Sequence, residues 1–225
     1  LWKTILWVVF GVGFQFVFGF ILALLLNKKF RGRGVVRAVS LIPWVTPGIL
    51  IGLMWRWMYD GNYGVLNDIL QKLHIINKSI PFLAQTNTAF PAVVVTIIWQ
   101  GIPFFALMIL AGLQGIDTSI YEATKIDGIG PVSRIFYIDI PLLTGQFRYL
   151  IITTIISTFQ TFEHVLIMTN GGPGDSTIVP ALHMYNETFS YYNMGYACAM
   201  GTVLFLITLG ITAFNMKYIK GAENQ

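Results

Sequence analysis

Residues 122–141 read EATKIDGIGPVSRIFYIDIP, and the way this stretch sits in the chain decides the fold. It is a polar island between long apolar runs, with an acid at Glu122, a glycine at Gly128 and a closing Pro141. Ser119-Ile-Tyr-Glu122 fits a capping box, in which a hydroxyl and a carboxylate satisfy each other's backbone donors, so a helix is expected to begin at Ile120. Gly128 can stop that helix in the left-handed conformation. Pro131 can open a second short helix, with Val132, Ile135 and Phe136 on one face, ending before Pro141. The expected object is two short helices joined by a glycine hinge, a compact element suited to a cleft in another protein.

Working outward, the chain has 225 residues, of which 55% are hydrophobic and 11% charged, with a mean hydropathy of +0.68. A soluble domain carries about 25% charged residues, so the composition points to a polytopic membrane protein. The formal charge of +4 is small and gives no reason to expect nucleic acid as a partner. Cys198 is the only cysteine, which excludes an internal disulfide and a cysteine-based metal cluster. The chain opens at Leu1, close to an apolar run long enough to span a bilayer, which reads as a trimmed start and not as a cleavable signal peptide.

Five spans are expected, at about 5–26, 39–59, 90–113, 147–168 and 195–216. Pro43 and Pro47 should kink the second. Gly48 and Gly52 there form a small-xxx-small face for close packing, and Trp55, Trp57 and Tyr59 read as an interfacial aromatic belt. Gln100-Gly-Ile-Pro103 should break the third span in mid-membrane. Between the second and third, Leu66, Ile69, Leu70 and Leu73 share one helical face and predict a short surface helix. Asn170-Gly-Gly-Pro-Gly-Asp175 is a turn, and a surface helix is expected within 178–192 with Pro180 in its first turn.

The basic residues orient these spans. Ten of them (Lys28, Lys29, Arg31, Arg33, Arg37, Lys125, Arg134, Arg148, Lys217 and Lys220) fall on one side and four (Lys3, Arg56, Lys72 and Lys78) on the other. The positive-inside rule then places the basic loop 28–37, the polar island 119–141 and the C-terminus in the cytoplasm. The basic loop is chiefly a topology signal attracted to anionic membrane lipid.

Nothing in the sequence supports catalysis by this chain. A phosphate-cradling loop needs Gly-Lys before Ser or Thr, and no Gly-Lys dipeptide occurs. His74, His164 and His183 are isolated, so no metal site is expected. Intramembrane polar residues are costly and often functional, which makes Gln15, Gln100, Gln160 and Glu163 candidates for a substrate pathway. Trp99 and Phe159, with Phe162, lie beside them and could stack on sugar rings; interhelical hydrogen bonding and packing are the plainer uses of all these side chains. An ion-coupled secondary transporter would need ionisable groups at the midplane, where this chain has almost none. A non-transporting membrane scaffold is a further alternative, against which the prolines and glycines that break the spans argue.

The island also carries a family resemblance. Glu-Ala-Ala, three residues, Gly, nine residues, then Ile-x-Leu-Pro marks the permease subunits of binding-protein-dependent ABC importers. Glu122, Ala123, Gly128, Ile138 and Pro141 stand in that register, with Thr124 for the second alanine and Ile140 for the leucine. Stretches 25–34, 42–44, 55–57, 63–67, 99–104, 111–114 and 168–174 are similar to the sugar-permease branch, in particular to the maltose-type F subunit. The resemblance covers nearly the whole chain and implies an all-α, polytopic helix bundle of the type I ABC importer permease fold in a bacterial inner membrane. It implies a further N-terminal helix ahead of Leu1. It also implies that Glu122, Ala123, Asp127, Gly128, Ile138 and Pro141 form a cytoplasmic coupling helix docking on an ATPase that carries the ATP and Mg, so that this chain needs no cofactor of its own. The implied partners are a second homologous permease, two ATPase subunits and an extracytoplasmic solute-binding protein. The implied cargo is a sugar or oligosaccharide, with a glycerol phosphodiester as the alternative.

Overall fold

A computed structural model of the chain describes residues 2–223, with side chains as far as residue 214. The side chains of Lys217 and Lys220, which entered the charge count, lie outside the described residues. The first long helix, α1, runs Trp2–Asn27 with one turn of π-helix at Val8–Val12. At 1.5 Å per residue it is about 39 Å long, enough for a hydrocarbon layer of about 30 Å. The second expected span is two helices, α2 (Arg33–Val45) and α3 (Gly48–Met58), which meet at 94°. Thr46 and Pro47 are both extended at the joint, because the pyrrolidine ring disfavours helical conformation in the residue before it. Pro43 stays inside α2, so the bend is the work of Pro47 alone.

Helix α4 (Val65–Lys72) is the short helix expected from 66–73, but its buried residue is Asn67, and Ile69 and Leu73 are exposed. Asn67 holds the following loop through its amide, which donates to the carbonyls of Asp60 at 3.0 Å and Ile80 at 2.9 Å. Helix α5 (Thr86–Gly115) corrects the expected mid-membrane break: its 30 residues are continuous through Pro91 and Pro103. Neighbouring helices hold it straight, since α1 packs along much of it and α2 lies against it as well.

The island folds as α6 (Thr118–Ile126) and α7 (Pro131–Leu142). The N-cap is Asp117, whose carboxylate accepts from the Ser119 N–H at 2.9 Å, so the helix starts two residues before the position that a Ser119 cap would set. Gly128 has φ +69°, and the Gly128 and Ile129 N–H groups donate to the Lys125 and Thr124 carbonyls at 3.2 and 3.0 Å, the pattern of a Schellman end. Helix α7 runs on past Pro141 to Leu142. A π turn at Ile135–Asp139 widens the helix just ahead of the proline, where an α-helical turn would need the N–H that proline lacks.

Helix α8 (Thr144–Gln160) follows at 68° to α7. The expected fourth span ends with it, because Thr161 and Phe162 leave the helix and α9 (Glu163–Met168) is a separate short helix. The glycine-rich turn after α9 has positive φ at Asn170, Gly171 and Gly174. It leads to α10 (Pro180–Phe189), which is no simple surface helix, since Leu182 is fully buried. Helix α11 (Met194–Glu223) packs against α10 and leaves Val203, Phe205, Leu206 and Leu209 exposed. Among the described residues, three helices are long and apolar enough to cross a membrane, and up to five if each bent pair counts as one span.

Two apolar cores form along α5. One gathers Trp7, Ile51, Trp55, Tyr59, Val93, Ile97, Val165 and Leu182. The other gathers Ala23, Leu26, Phe105, Ile109, Leu113, Phe147 and Leu150. Trp55 and Tyr59 therefore belong to the interior and not to an aromatic belt. Tyr59 donates its hydroxyl to the Ala92 carbonyl at 3.1 Å, and only Trp57 is exposed.

Candidate functional site

The stretch of α5 between the two cores, Ile97 to Phe105, forms one wall of a cavity of about 520 Å³. Glycines open it. A Cβ on Gly101 would collide with the Gln15 side chain, and one on Gly48 would stand 2.7 Å from Glu163 Oε2 and 3.2 Å from His164 Cε1. The small-xxx-small face of α3 thus serves to admit α9: Gly48 meets Glu163 and His164, and a Cβ on Gly52 would lie 3.1 Å from Ile167 Cβ.

Gln15, 5% exposed, is fixed by donating its amide to the Ile97 carbonyl at 2.9 Å. Gln100 reaches across to the Thr46 carbonyl at 3.4 Å, tying α5 to the α2–α3 joint. The opposite wall is a hydroxyl stripe on and just after α8: Thr153, Thr154, Ser157, Thr158 and Thr161. Thr154, Thr158 and Thr161 each donate to the carbonyl four residues back, at 2.8, 2.8 and 2.9 Å. Their hydrogens are thereby committed and their lone pairs are left as acceptors. Flat apolar surface comes from Trp44 and Phe104, stacked with centroids 5.6 Å apart, and from Phe162 against Tyr185 at 5.1 Å.

Of the pathway candidates, the structure brings together Gln15, Gln100, Gln160 and Glu163. It sets Trp99 and Phe159 aside. Trp99 turns away from the cavity and packs edge-on against Trp55 at 5.5 Å. Phe159 is not among the lining residues, and the break after Gln160 turns Phe162 inward instead. His164 is among the lining residues that sequence reasoning missed. It is 4% exposed, lines the cavity, and neither ring nitrogen has a hydrogen-bond partner. Its isolation in the sequence hid it; the Thr and Ser stripe was missed as well, although its helical spacing is a signal that could have found it.

At the other end of α8, the island presents a second surface. Glu122, Ala123, Asp127, Gly128 and Pro141 are exposed and Ile138 is half-buried. Around them Ile126 (86%), Tyr137 (76%), Val132 (65%) and Phe136 (62%) expose an apolar surface unusual for residues of their kind. Thr124, the departure from the alanine pattern, is buried, and its hydroxyl donates to the Tyr121 carbonyl at 2.9 Å. The Asp117 carboxyl is held below the usual carboxylate range, chiefly by the Ser119 backbone N–H. Burial, with the charge of Asp139 next, pushes the Tyr121 hydroxyl up to about 12.

Known proteins resemble the chain in sequence, and solved structures resemble it in fold. The sulfoquinovosyl glycerol transport system permease protein of Agrobacterium fabrum is 38% identical over 219 residues, covering 97% of this chain and 70% of its own length. The trehalose/maltose transport system permease protein of Thermococcus litoralis is 35% identical over 211 residues, covering 93% and 69%. A solved bacterial alginate ABC transporter, in complex with its pentasaccharide-bound periplasmic protein, superposes with a TM-score of 0.86 over 96% of this chain and 75% of the other at 20% identity, which speaks for the fold. The model of the binding-protein-dependent transport system inner membrane component matches residues 15–219. The chain therefore belongs to the family of inner membrane components of binding-protein-dependent transport systems.

Proposed function

We propose that this permease forms half of a pathway for ATP-driven uptake of a sugar or oligosaccharide, with ATP and Mg held by a separate subunit. The observation that carries the reading is the lining of the central cavity. Sugars offer hydroxyls on their edges and apolar C–H faces. The cavity offers amides at Gln15, Gln100 and Gln160, acceptor hydroxyls along α8, and the aromatic faces of Trp44, Phe104 and Phe162. A glycerol phosphodiester is the weaker fit. Its phosphate calls for a cation, and the described lining contains Glu163 and neither Lys nor Arg.

In this reading the island is the coupling element, cytoplasmic together with the C-terminus of a bacterial inner-membrane protein. The exposed Glu122, Ala123, Asp127 and Gly128, flanked by apolar Ile126 and Tyr137, dock in a cleft of one of two ATPase subunits, with Ile138 and Pro141 setting the exit towards α8. A second, homologous permease completes the pathway, and an extracytoplasmic solute-binding protein delivers the cargo. ATP-driven closure of the motor draws the two coupling elements together. The breaks at Pro47 and at Thr161-Phe162 let the half-spans around the cavity reorient towards the outside, and release after hydrolysis returns them.

The test is sugar uptake into proteoliposomes carrying the complete transporter. Uptake should require ATP and the binding protein, and Glu122→Lys, which reverses a charge on the docking surface, should reduce it at least about tenfold. Normal uptake by an assembled Glu122→Lys transporter would overturn the reading.

A further inference from the structure

Asp139 is the one Asp or Glu among the described residues with no exposed surface. Such a carboxylate is costly unless an opposite charge compensates it. Neither of its oxygens has a hydrogen-bond partner, and its ion pair is with Arg134, Nε to Oδ2 at 3.4 Å. The same guanidinium lies over the ring of Tyr121, 5.0 Å from its centroid. Tyr121 belongs to α6, whereas Arg134 and Asp139 belong to α7. One cation therefore links the two limbs of the island, held by a buried charge on one side and an aromatic face on the other.

The two glycines of the hinge add no side-chain packing that would fix the angle between the limbs. Gly128 and Gly130 have open space where a Cβ would stand. The Schellman bonds set the conformation at Gly128, and Gly130 follows two residues later with no Cβ of its own to pack. We infer that Arg134, Asp139 and Tyr121 form an internal brace that makes α6 and α7 move as one rigid lever, which makes Arg134 and Asp139 positioning residues for coupling. Displacement of the docking surface on α6 then passes through the brace to α7 and, across the 68° bend, to α8, whose far half lines the cavity. Without the brace the hinge absorbs the displacement, and hydrolysis proceeds without moving the pathway. This inference rests on the coupling role proposed above.

The experiment measures sugar taken up per ATP hydrolysed, in proteoliposomes of the complete transporter. In Asp139→Asn, hydrolysis should stay within about twofold while the uptake-to-hydrolysis ratio falls at least about fivefold; a purely structural defect would lower both together. An unchanged ratio, or a proportional loss of both, overturns the brace. If Asp139→Asn does not assemble, Tyr121 decides. Tyr121→Leu removes the ring while leaving the ion pair and should lower the ratio at least about twofold, whereas Tyr121→Phe should keep it. Equal ratios for the two overturn the inference. Glu122→Lys in the same preparation separates the two levels. If it leaves uptake unchanged, the coupling role fails. If it abolishes uptake while Asp139→Asn or Tyr121→Leu keeps the ratio, the brace alone fails.

Discussion

Gly101 offers a sharp test of how the cavity is built. It lies where α5 meets α1, and its missing side chain is what admits the Gln15 amide. In Gly101→Ala the new methyl would overlap the end of the Gln15 side chain. That end is flexible, so Gln15 moves and α5 need not. Moving it breaks the 2.9 Å bond to the Ile97 carbonyl and leaves a buried amide without its partner. Polar contacts between membrane helices contribute about 0.6 kcal/mol on average and up to about 1.7 kcal/mol, so Gly101→Ala should cost roughly 1 kcal/mol. Gln15→Ala should cost a similar amount, about 1 kcal/mol, by losing the same bond. In the double variant the methyl enters space that Gln15 has vacated, so the second substitution adds almost nothing. The two changes should therefore couple by about 1 kcal/mol, several-fold in the unfolding equilibrium. Reversible unfolding of the detergent-solubilised transporter, measured for the wild type, both single variants and the double, gives the coupling directly. Additivity within about 0.3 kcal/mol would refute the close approach of Gly101 and Gln15.

Two further outcomes concern the island. Gly128→Ala meets no neighbouring atom, so its cost is backbone strain alone, about 1–2 kcal/mol for a left-handed residue with a Cβ. Hydrogen exchange at the Gly128 and Ile129 amides should quicken by roughly tenfold, with little change in α5; unchanged exchange would contradict the Schellman end. The Asp117 cap gives a pH dependence. Because its folded pKa lies below the unfolded value, its contribution is fully present above about pH 4 and is lost as the pH falls through the folded value. Exchange at the Ser119 amide should rise across that fall relative to Asp117→Asn, which keeps an acceptor that does not titrate, and parallel profiles would show that the carboxylate is no cap.

The composition and the Glu122–Pro141 register were enough for a polytopic permease, because a bilayer admits few backbones and the island interrupts the apolar runs at a recognisable spacing. Details failed where a local signal competed with tertiary contacts. Pro103 looked like a break, yet α5 runs through it because α1 and α2 pack against it. Trp55 and Tyr59 looked interfacial, but α3 turns by 94° at Pro47 and carries them into the core. Trp99 stood beside a glutamine in sequence, and neighbours on a helix point about 100° apart, so Gln100 faces the cavity and Trp99 faces Trp55.

By itself the sequence determined an all-α, polytopic chain, the hinged island and its glycine in the left-handed region, because hydropathy, capping and φ preferences act over a few residues. Only the tertiary structure decided that Gln15, Gln100, Gln160, Glu163 and His164 share one cavity, and that Arg134 meets both the Asp139 carboxylate and the Tyr121 ring. Those meetings join residues from separate helices, or across a hinge and a π turn. They depend on helix angles and on glycines that let backbones approach, and no local pattern records either.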